Sequence, residues 1–460
     1  MKAFLSPRSR NLIVSSLLGG LTACAASPTP QEAPPVATEP PPAAAAPPLS
    51  RTVPSVPPFE TSGRADFDTW RADFARRALQ DGRDPTVVYD VLRDLKPLEI
   101  YLPSDTRSVQ PQSDVSEQAE FAKPIWDYVG SAVSDSRRTN GRAKAAQLAG
   151  LLSSIEVELD VDAEAVAAIW GMETSYGSYI GDFDGPETLA NMAVEGRRRT
   201  FAENELLATM VLIERGYATR EELQAGWAGA MGQTQFMPST YLAHAVDFDG
   251  DGRRDVWRSE ADALGSAANY LASIGYVSGE PWGAEVIVPD NFNFAFANGD
   301  KRSVVEWRDL GLYPMPGAAL PSDPFAEARL WLPAGARGPK YLLFRNFDVF
   351  LNYNRANAYA FSVGLLADAI AGRPGPQTPW PTDVRPLSVS DVKILQAQLN
   401  RMGFDAGAVD GIAGSGTRRA LQRFQVSRGM VADGYPTEAA LSALLASAQP
   451  GISALGASPG

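Results

Sequence analysis

One cysteine and one histidine are all that the 460 residues contain. The lone Cys24 excludes an internal disulfide, and there is no His/Cys cluster to hold zinc. A Ser-His-Asp or Cys-His hydrolase would have to run through His244, which reads as structural. Positive charge is also in short supply: Lys and Arg number 41 against 54 for Asp and Glu, a net charge of -13. Such a chain has no bulk attraction for nucleic acid and repels an acidic polymer at long range. Binding to one must come from local hydrogen bonds and stacking. The apolar run from Leu12 to Leu21 is too short to span a bilayer as a mature helix.

What that run does fit is an export signal. Lys2, Arg8 and Arg10 supply a positive region ahead of it. It ends in Leu21-Thr22-Ala23-Cys24, which resembles a bacterial lipobox, with Cys24 as the acylated first residue of the mature chain. An ordinary signal peptide with an incidental Cys is the alternative. Ala25, rather than Asp, follows the Cys, which implies the outer membrane. The expectation is a protein anchored to a membrane without spanning it.

Composition then divides the chain. Residues 1–23 form the signal and 24–58 a Pro/Ala-rich tether that cannot bury a core. Residues 59–372 read as a mostly helical body. Phe67, Trp70, Phe74 and Ala78 recur at helical spacing, and Asp84-Pro85 reads as an N-cap followed by Pro at the first helical position. Helices are expected over 143–159, 163–173, 203–215, 261–274 and 361–371, with loops and short strands between 276 and 360. Residues 373–386 carry five prolines and read as a linker. A small unit fills 387–446, and 447–460 reads as a flexible tail.

Two segments carry the chemistry. Val166, Ile169, Trp170 and Glu173 fall at i, i+3, i+4 and i+7, so a carboxyl group shares an apolar helix face. Desolvation raises its pKa, and the negative end of the helix dipole acts the same way. Such an acid can hold its proton near neutral pH and pass it to a substrate. The pattern also fits a buried Glu satisfied by an Arg or a backbone N–H. The second segment runs from Gly226 to Tyr241. Glycines at 226, 229 and 232 allow close backbone approach, and Gln233 and Gln235 stand among Met231, Phe236 and Met237. That is the make-up of a saccharide cleft, or of a tight helix crossing.

Met172-Glu173-Thr174, followed some sixty residues on by Ala228-Gly229-Ala230-Met231-Gly232-Gln233, resembles the lytic murein transglycosylase B family. The likeness covers about Phe67 to Ala371. It implies a mainly α, lysozyme-like catalytic domain with extra helices and a small β element. It implies Glu173 as the single catalytic acid/base, and Arg197, Arg198, Gln235, Tyr270, Tyr353, Asn354 and Tyr359 as groove residues. Gln233 joins them from the cleft composition. Close relatives often carry Ser before the Trp of the second segment, where its hydroxyl orients the acid; here the residue is Gly226. Water or a backbone N–H would have to replace it.

Ordinary glycosidases need two carboxyl groups. Asp182, Asp184 and Glu187 lie near Glu173 in sequence, but in a stretch that reads as exposed. One suffices if the substrate supplies its own nucleophile, as the muramoyl C6 hydroxyl of peptidoglycan can. The expected activity is non-hydrolytic cleavage of the MurNAc-GlcNAc β-1,4 bond to 1,6-anhydroMurNAc ends. A hydrolytic muramidase and a non-catalytic wall-binding scaffold are the rivals. No cofactor is needed for this chemistry.

Asp247-Phe248-Asp249-Gly250-Asp251-Gly252 has the form of a calcium-loop start, with Arg258 where the usual closing Glu would stand. The alternative is an acidic surface turn. The family's longer loop implies Asp262 as the closing ligand, beside Asp247, Asp249, Asp251 and the carbonyl of Arg253, around a structural Ca2+. Finally, Asp410-Gly411, Gly416-Thr417, Phe424-Gln425 and Asp433-Gly434 fall in the order of the three-helix peptidoglycan-binding domain. The implied partners are glycan strands and the outer membrane, with cell-wall synthesis or division proteins as further candidates, and no nucleic acid.

Overall fold

The computed structural model describes residues 55–101, 124–385 and 387–448. The signal segment, Cys24, most of the tether and the tail beyond 448 lie outside them. The described chain is mainly helical and starts where the periodicity places it. Helix α1 (Ala65–Gln80) buries Phe67, Trp70, Phe74 and Ala78. Helix α2 (Pro85–Leu92) opens as its sequence dictates: Asp84 accepts from the Thr86 and Val87 amides, and Pro85 takes the first turn, where no N–H is needed. These two helices pack on α7 (Gly185–Glu195) and α8 (Arg199–Glu214) around Leu189, Met192, Leu206 and Met210.

A larger core surrounds α6 (Ala163–Thr174). Around it stand α3 (Ile125–Ala132), α4 (Asp135–Gln147), α5 (Ala149–Leu159), α10 (Glu260–Ser273), α12 (Arg345–Tyr353) and α13 (Asn357–Ile370). Residues 143–159, expected as one helix, are two. The chain leaves helical geometry at Leu148, which ends α4 and starts α5 without a turn residue between them. The nearest Gly, Gly150, falls inside the first turn of α5 and no Pro is present, so the break is only weakly marked. The other expected helices lie within a few residues of their positions: α8, α10 and α13 cover the segments read as 203–215, 261–274 and 361–371.

Between 276 and 360 the chain forms a five-stranded antiparallel sheet in the order β4-β6-β7-β3-β5. Its strands are β3 (Gly283–Ile287), β4 (Lys301–Ser303), β5 (Tyr313–Pro314), β6 (Glu327–Trp331) and β7 (Tyr341–Leu343). Helix α11 (Val304–Asp309) covers it with the fully buried Trp307. A two-stranded piece, β1 (Phe183–Asp184) with β2 (Gln224–Ala225), joins the chain just after α6 to the Gly226 loop. That pairing, with α9 (Pro238–His244) behind it, holds both informative segments together.

The C-terminal unit has three helices, α14 (Val389–Arg401), α15 (Ser415–Ser427) and α16 (Glu438–Ala448). Two buried glutamines each clasp an Asp-Gly turn. Gln396 donates to Asp410 and accepts from Gly411 N, and Gln425 does the same with Asp433 and Gly434. The second turn also meets the sheet domain. Asp433 Oδ2 accepts from Ala336 N at 3.0 Å, Arg418 donates to the Leu332 carbonyl, and Gln422 donates to that of Phe294. The proline-rich connection is held as well: the buried Glu285 accepts the amides of Gln377 and Thr378, and Trp380 packs against Trp126 and Phe361.

Candidate active site

Glu173 stands in the last turn of α6, half-buried, with Val166, Ile169 and Trp170 of the same helix in the core. Immediately beyond it the backbone turns left-handed at Ser175 (φ 50°) and Tyr176 (φ 63°). Two successive non-glycine residues there are strained, a feature that concentrates at functional sites. Thr174 holds the turn. Its hydroxyl donates to the Gln233 carbonyl at 2.6 Å and accepts from Gly177 N at 3.0 Å. The end of α6 is thereby bonded to the Gly226–Tyr241 segment.

Tyrosines surround the acid. Tyr359 of α13 donates its phenolic hydrogen to Glu173 Oε1. Tyr353, at the end of α12, donates to the Thr234 carbonyl at 2.6 Å. Burial, and next the negative charge of Glu173, push both phenols well above the usual tyrosine range, so they stay neutral donors. Tyr353 packs on Tyr270 at 5.4 Å between ring centres, and Tyr270 meets Phe236 edge-on. Asn354 caps α12. The sequence thus assigns Tyr270, Tyr353, Asn354 and Tyr359 to distant segments, and the fold brings them to one end of α6.

The two glutamines are held by the fold in different ways, Gln233 turned inward and Gln235 half-buried. Gln233 is buried. Its Oε1 accepts from Trp170 Nε1 at 3.0 Å, and its Nε2 reaches the Trp257 carbonyl at 3.5 Å. It braces the wall behind the acid rather than facing a groove. Gln235, left-handed at φ 52°, donates Nε2 to the carbonyls of Ile180 and Gly232. A Cβ at Gly226 would lie 2.8 Å from Gln235 Oε1. The amide therefore occupies the space a larger residue before Trp227 would need. Tyr359 supplies a hydrogen bond to Glu173 that the sequence reading did not assign to it.

Arg197 and Arg198 are exposed between α7 and α8. Arg197 lies 3.9 Å from Glu195, and Arg198 stacks on Phe201 at 4.1 Å. The charge of Arg198 reaches Tyr101, whose hydroxyl donates to the Trp227 carbonyl, so this pair flanks the second segment. Sequence reasoning passed over Tyr101 and Trp227. Trp227 is 42% exposed, an apolar platform of the kind a sugar face stacks on. Its signal was available: a large aromatic set among glycines and alanines in a segment already singled out.

Of the neighbouring carboxylates, Asp184 and Glu187 are engaged in holding the fold, and Asp182 is exposed. Asp184 caps α7 and pairs with Arg220 at 2.7 Å. Asp182 accepts from Tyr179. Glu187 is half-buried, contrary to the exposed position expected for it, because it accepts the Lys96 amide; burial raises its pKa. His244 packs against Tyr270, and burial lowers its pKa.

Asp247, Asp249, Asp251 and Asp262 converge, each offering an oxygen within 4.8 Å of the others. Asp262 is fully buried in the first turn of α10 and accepts from Phe248 N and Asp255 N; desolvation raises its pKa. Asp247 gathers the amides of Gly250 and Gly252. Arg253 N donates to Asp251, and its side chain pairs with Glu222, which keeps the loop closed. Arg258 points away to Glu222 and Asp255. An all-oxygen, four-carboxylate set with one buried member suits a hard divalent cation.

A half-buried acid bonded by a buried tyrosine, at the end of a buried helix in an α-helical body, is the arrangement expected of a lysozyme-like domain. Residues 66–368 match the transglycosylase SLT domain, and the chain belongs to that family. Residues 388–444 match the peptidoglycan binding domain. SltB3 from Pseudomonas aeruginosa, solved in complex with NAG-anhNAM-pentapeptide, is 41% identical with a TM-score of 0.76, covering 83% of this chain and 100% of that one. Membrane-bound lytic murein transglycosylase B of Escherichia coli (strain K12) is 33% identical over 216 residues, 46% of this chain. The match spans 57% of that curated relative's length. The Escherichia coli lytic transglycosylase Slt35 in complex with calcium is 26% identical with a TM-score of 0.53, over 65% of this chain and 92% of that one.

Proposed function

We propose that the protein is a peptidoglycan lytic transglycosylase in which Glu173 is the only catalytic acid and base. The observation that carries this reading is the placement of Glu173 beneath Tyr359, while Asp184 and Glu187 are committed elsewhere and Asp182 is exposed. Glu173 protonates the departing glycosidic oxygen. The muramoyl C6 hydroxyl of the same sugar then attacks the anomeric carbon and gives its proton to the Glu173 carboxylate. The net result is one broken C–O bond, one new C–O bond and a 1,6-anhydro end, with no water consumed. SltB3, the relative solved with an anhydro-muramoyl ligand, supports this product.

Arg197, Arg198, Tyr270, Tyr353 and Asn354 line the approach for the strand, with Trp227 as a stacking surface. Asp247, Asp249, Asp251, Asp262 and the Arg253 carbonyl hold a structural Ca2+, whose role is to neutralise the loop's charge. The C-terminal unit adds affinity for the wall, and Cys24 carries the lipid that keeps the enzyme on the periplasmic face of the outer membrane. The lipobox-like sequence and the membrane-bound relative support that anchorage.

The test is digestion of purified sacculi by wild type and by Glu173→Gln. Wild type should clear the suspension and release anhydro-muramoyl ends by mass spectrometry. The variant should lose activity by a factor on the order of 10^2 to 10^4. Reducing ends that carry an added water would identify a muramidase instead.

A further inference from the structure

We propose that Tyr359 is a positioning residue: by donating its O–H to Glu173 Oε1, it fixes the carboxyl rotamer and places the transferable proton on Oε2. This rests on Glu173 being the acid, as argued above. It differs from the sequence reading, in which Tyr359 is a substrate contact.

The geometry supports it at three points. First, Tyr359 is 5% exposed on α13, which lies along α6, so its ring is held by the core rather than by a ligand. Second, a neutral carboxyl group has one carbonyl oxygen and one hydroxyl oxygen, and the carbonyl is the better acceptor. A donor fixed at Oε1 therefore selects the form protonated at Oε2. When the proton leaves, the same O–H strengthens as a charge-assisted hydrogen bond to the carboxylate. The contact thus serves both halves of the reaction without moving. Third, the residue before Trp227 is glycine, with no hydroxyl to offer, and Gln235 fills the adjacent space. Besides Glu173, the main titratable groups acting on Tyr359 are Tyr353 and Tyr128, both phenols.

The test is Tyr359→Phe, which keeps the ring and removes the donor. On soluble glycan strands, kcat should fall about ten- to a hundredfold with KM nearly unchanged. The sign of the pH effect follows from the charge state that is lost. The O–H favours ionised Glu173, so its removal favours the protonated acid. The alkaline limb of the rate profile should then move up by about one pH unit. A raised KM with kcat retained would make Tyr359 a substrate contact and overturn the proposal. So would a fall in kcat with an unmoved limb.

A second measurement needs no change at Tyr359. In wild type labelled at tyrosine Cζ, the Tyr359 signal should titrate with the same midpoint as the alkaline limb and by a larger shift than that of Tyr353, which feels the Glu173 charge without bonding it. That titration should vanish in Glu173→Gln. Its presence in both proteins, or in neither, would also overturn the proposal. This coupling is read without turnover, so it stands or falls separately from whether anhydro ends are released.

Discussion

A hydroxyl bonded to Glu173 and a missing side chain before Trp227 mark the site. Gly226 admits the Gln235 amide, and Tyr359 supplies the hydrogen bond. Gly226→Ser places a Cβ 2.8 Å from Gln235 Oε1, an amide already held by the Ile180 and Gly232 carbonyls. Overpacking of this kind costs about 1–3 kcal/mol, so the variant should melt at lower temperature by calorimetry. Glu222 offers a separate test in pH. The Thr219 amide and then Arg258 hold its carboxyl down to about 2. Its folded pKa is depressed, so its stabilisation is complete above the ordinary carboxylate pKa of 4.5 and is lost as pH falls toward 2. Glu222→Gln should remove that part of the acid dependence of the melting temperature and leave the remainder.

Among the elements, helices were the most legible. Phe67, Trp70, Phe74 and Ala78 repeat every turn and all face the core of α1, and Asp84-Pro85 writes its own helix start. The strands were legible only as a region. β7 is three residues, Tyr341–Leu343, buried on both faces, so it shows no alternation to read. The break at Leu148 is marked only by Gly150, which falls inside the next helix. In the site, Glu173 and the acidic loop were visible because local spacing produces them. The inward turn of Gln233 was not, since it depends on Trp170 and Trp257, far apart in the chain. The acidic loop makes its own prediction. Calcium added to chelated protein should raise the melting temperature, because four converging carboxylates repel one another without a cation. Clearing of sacculi well below that temperature should persist in chelator.

At the scale of the whole molecule, the C-terminal unit is part of the structure around the sheet. Arg418 lies against Tyr435 and donates to Leu332, and Gly335 comes so close that a Cβ there would lie 2.8 Å from Asp433 Oδ2. Asp433 alone serves Ala336, Gln425 and Tyr435. Wild type should therefore unfold in one calorimetric transition. Asp433→Ala should split it in two, with the smaller unit melting first.

The docked connection at Glu285 and Trp380 has a further consequence. The described part of the connection is held to the body, so the C-terminal unit and the proposed cutting site keep one spacing, as in a caliper of one setting. On the proposed function, the point at which the C-terminal unit holds a glycan strand would set how many sugars away Glu173 cuts.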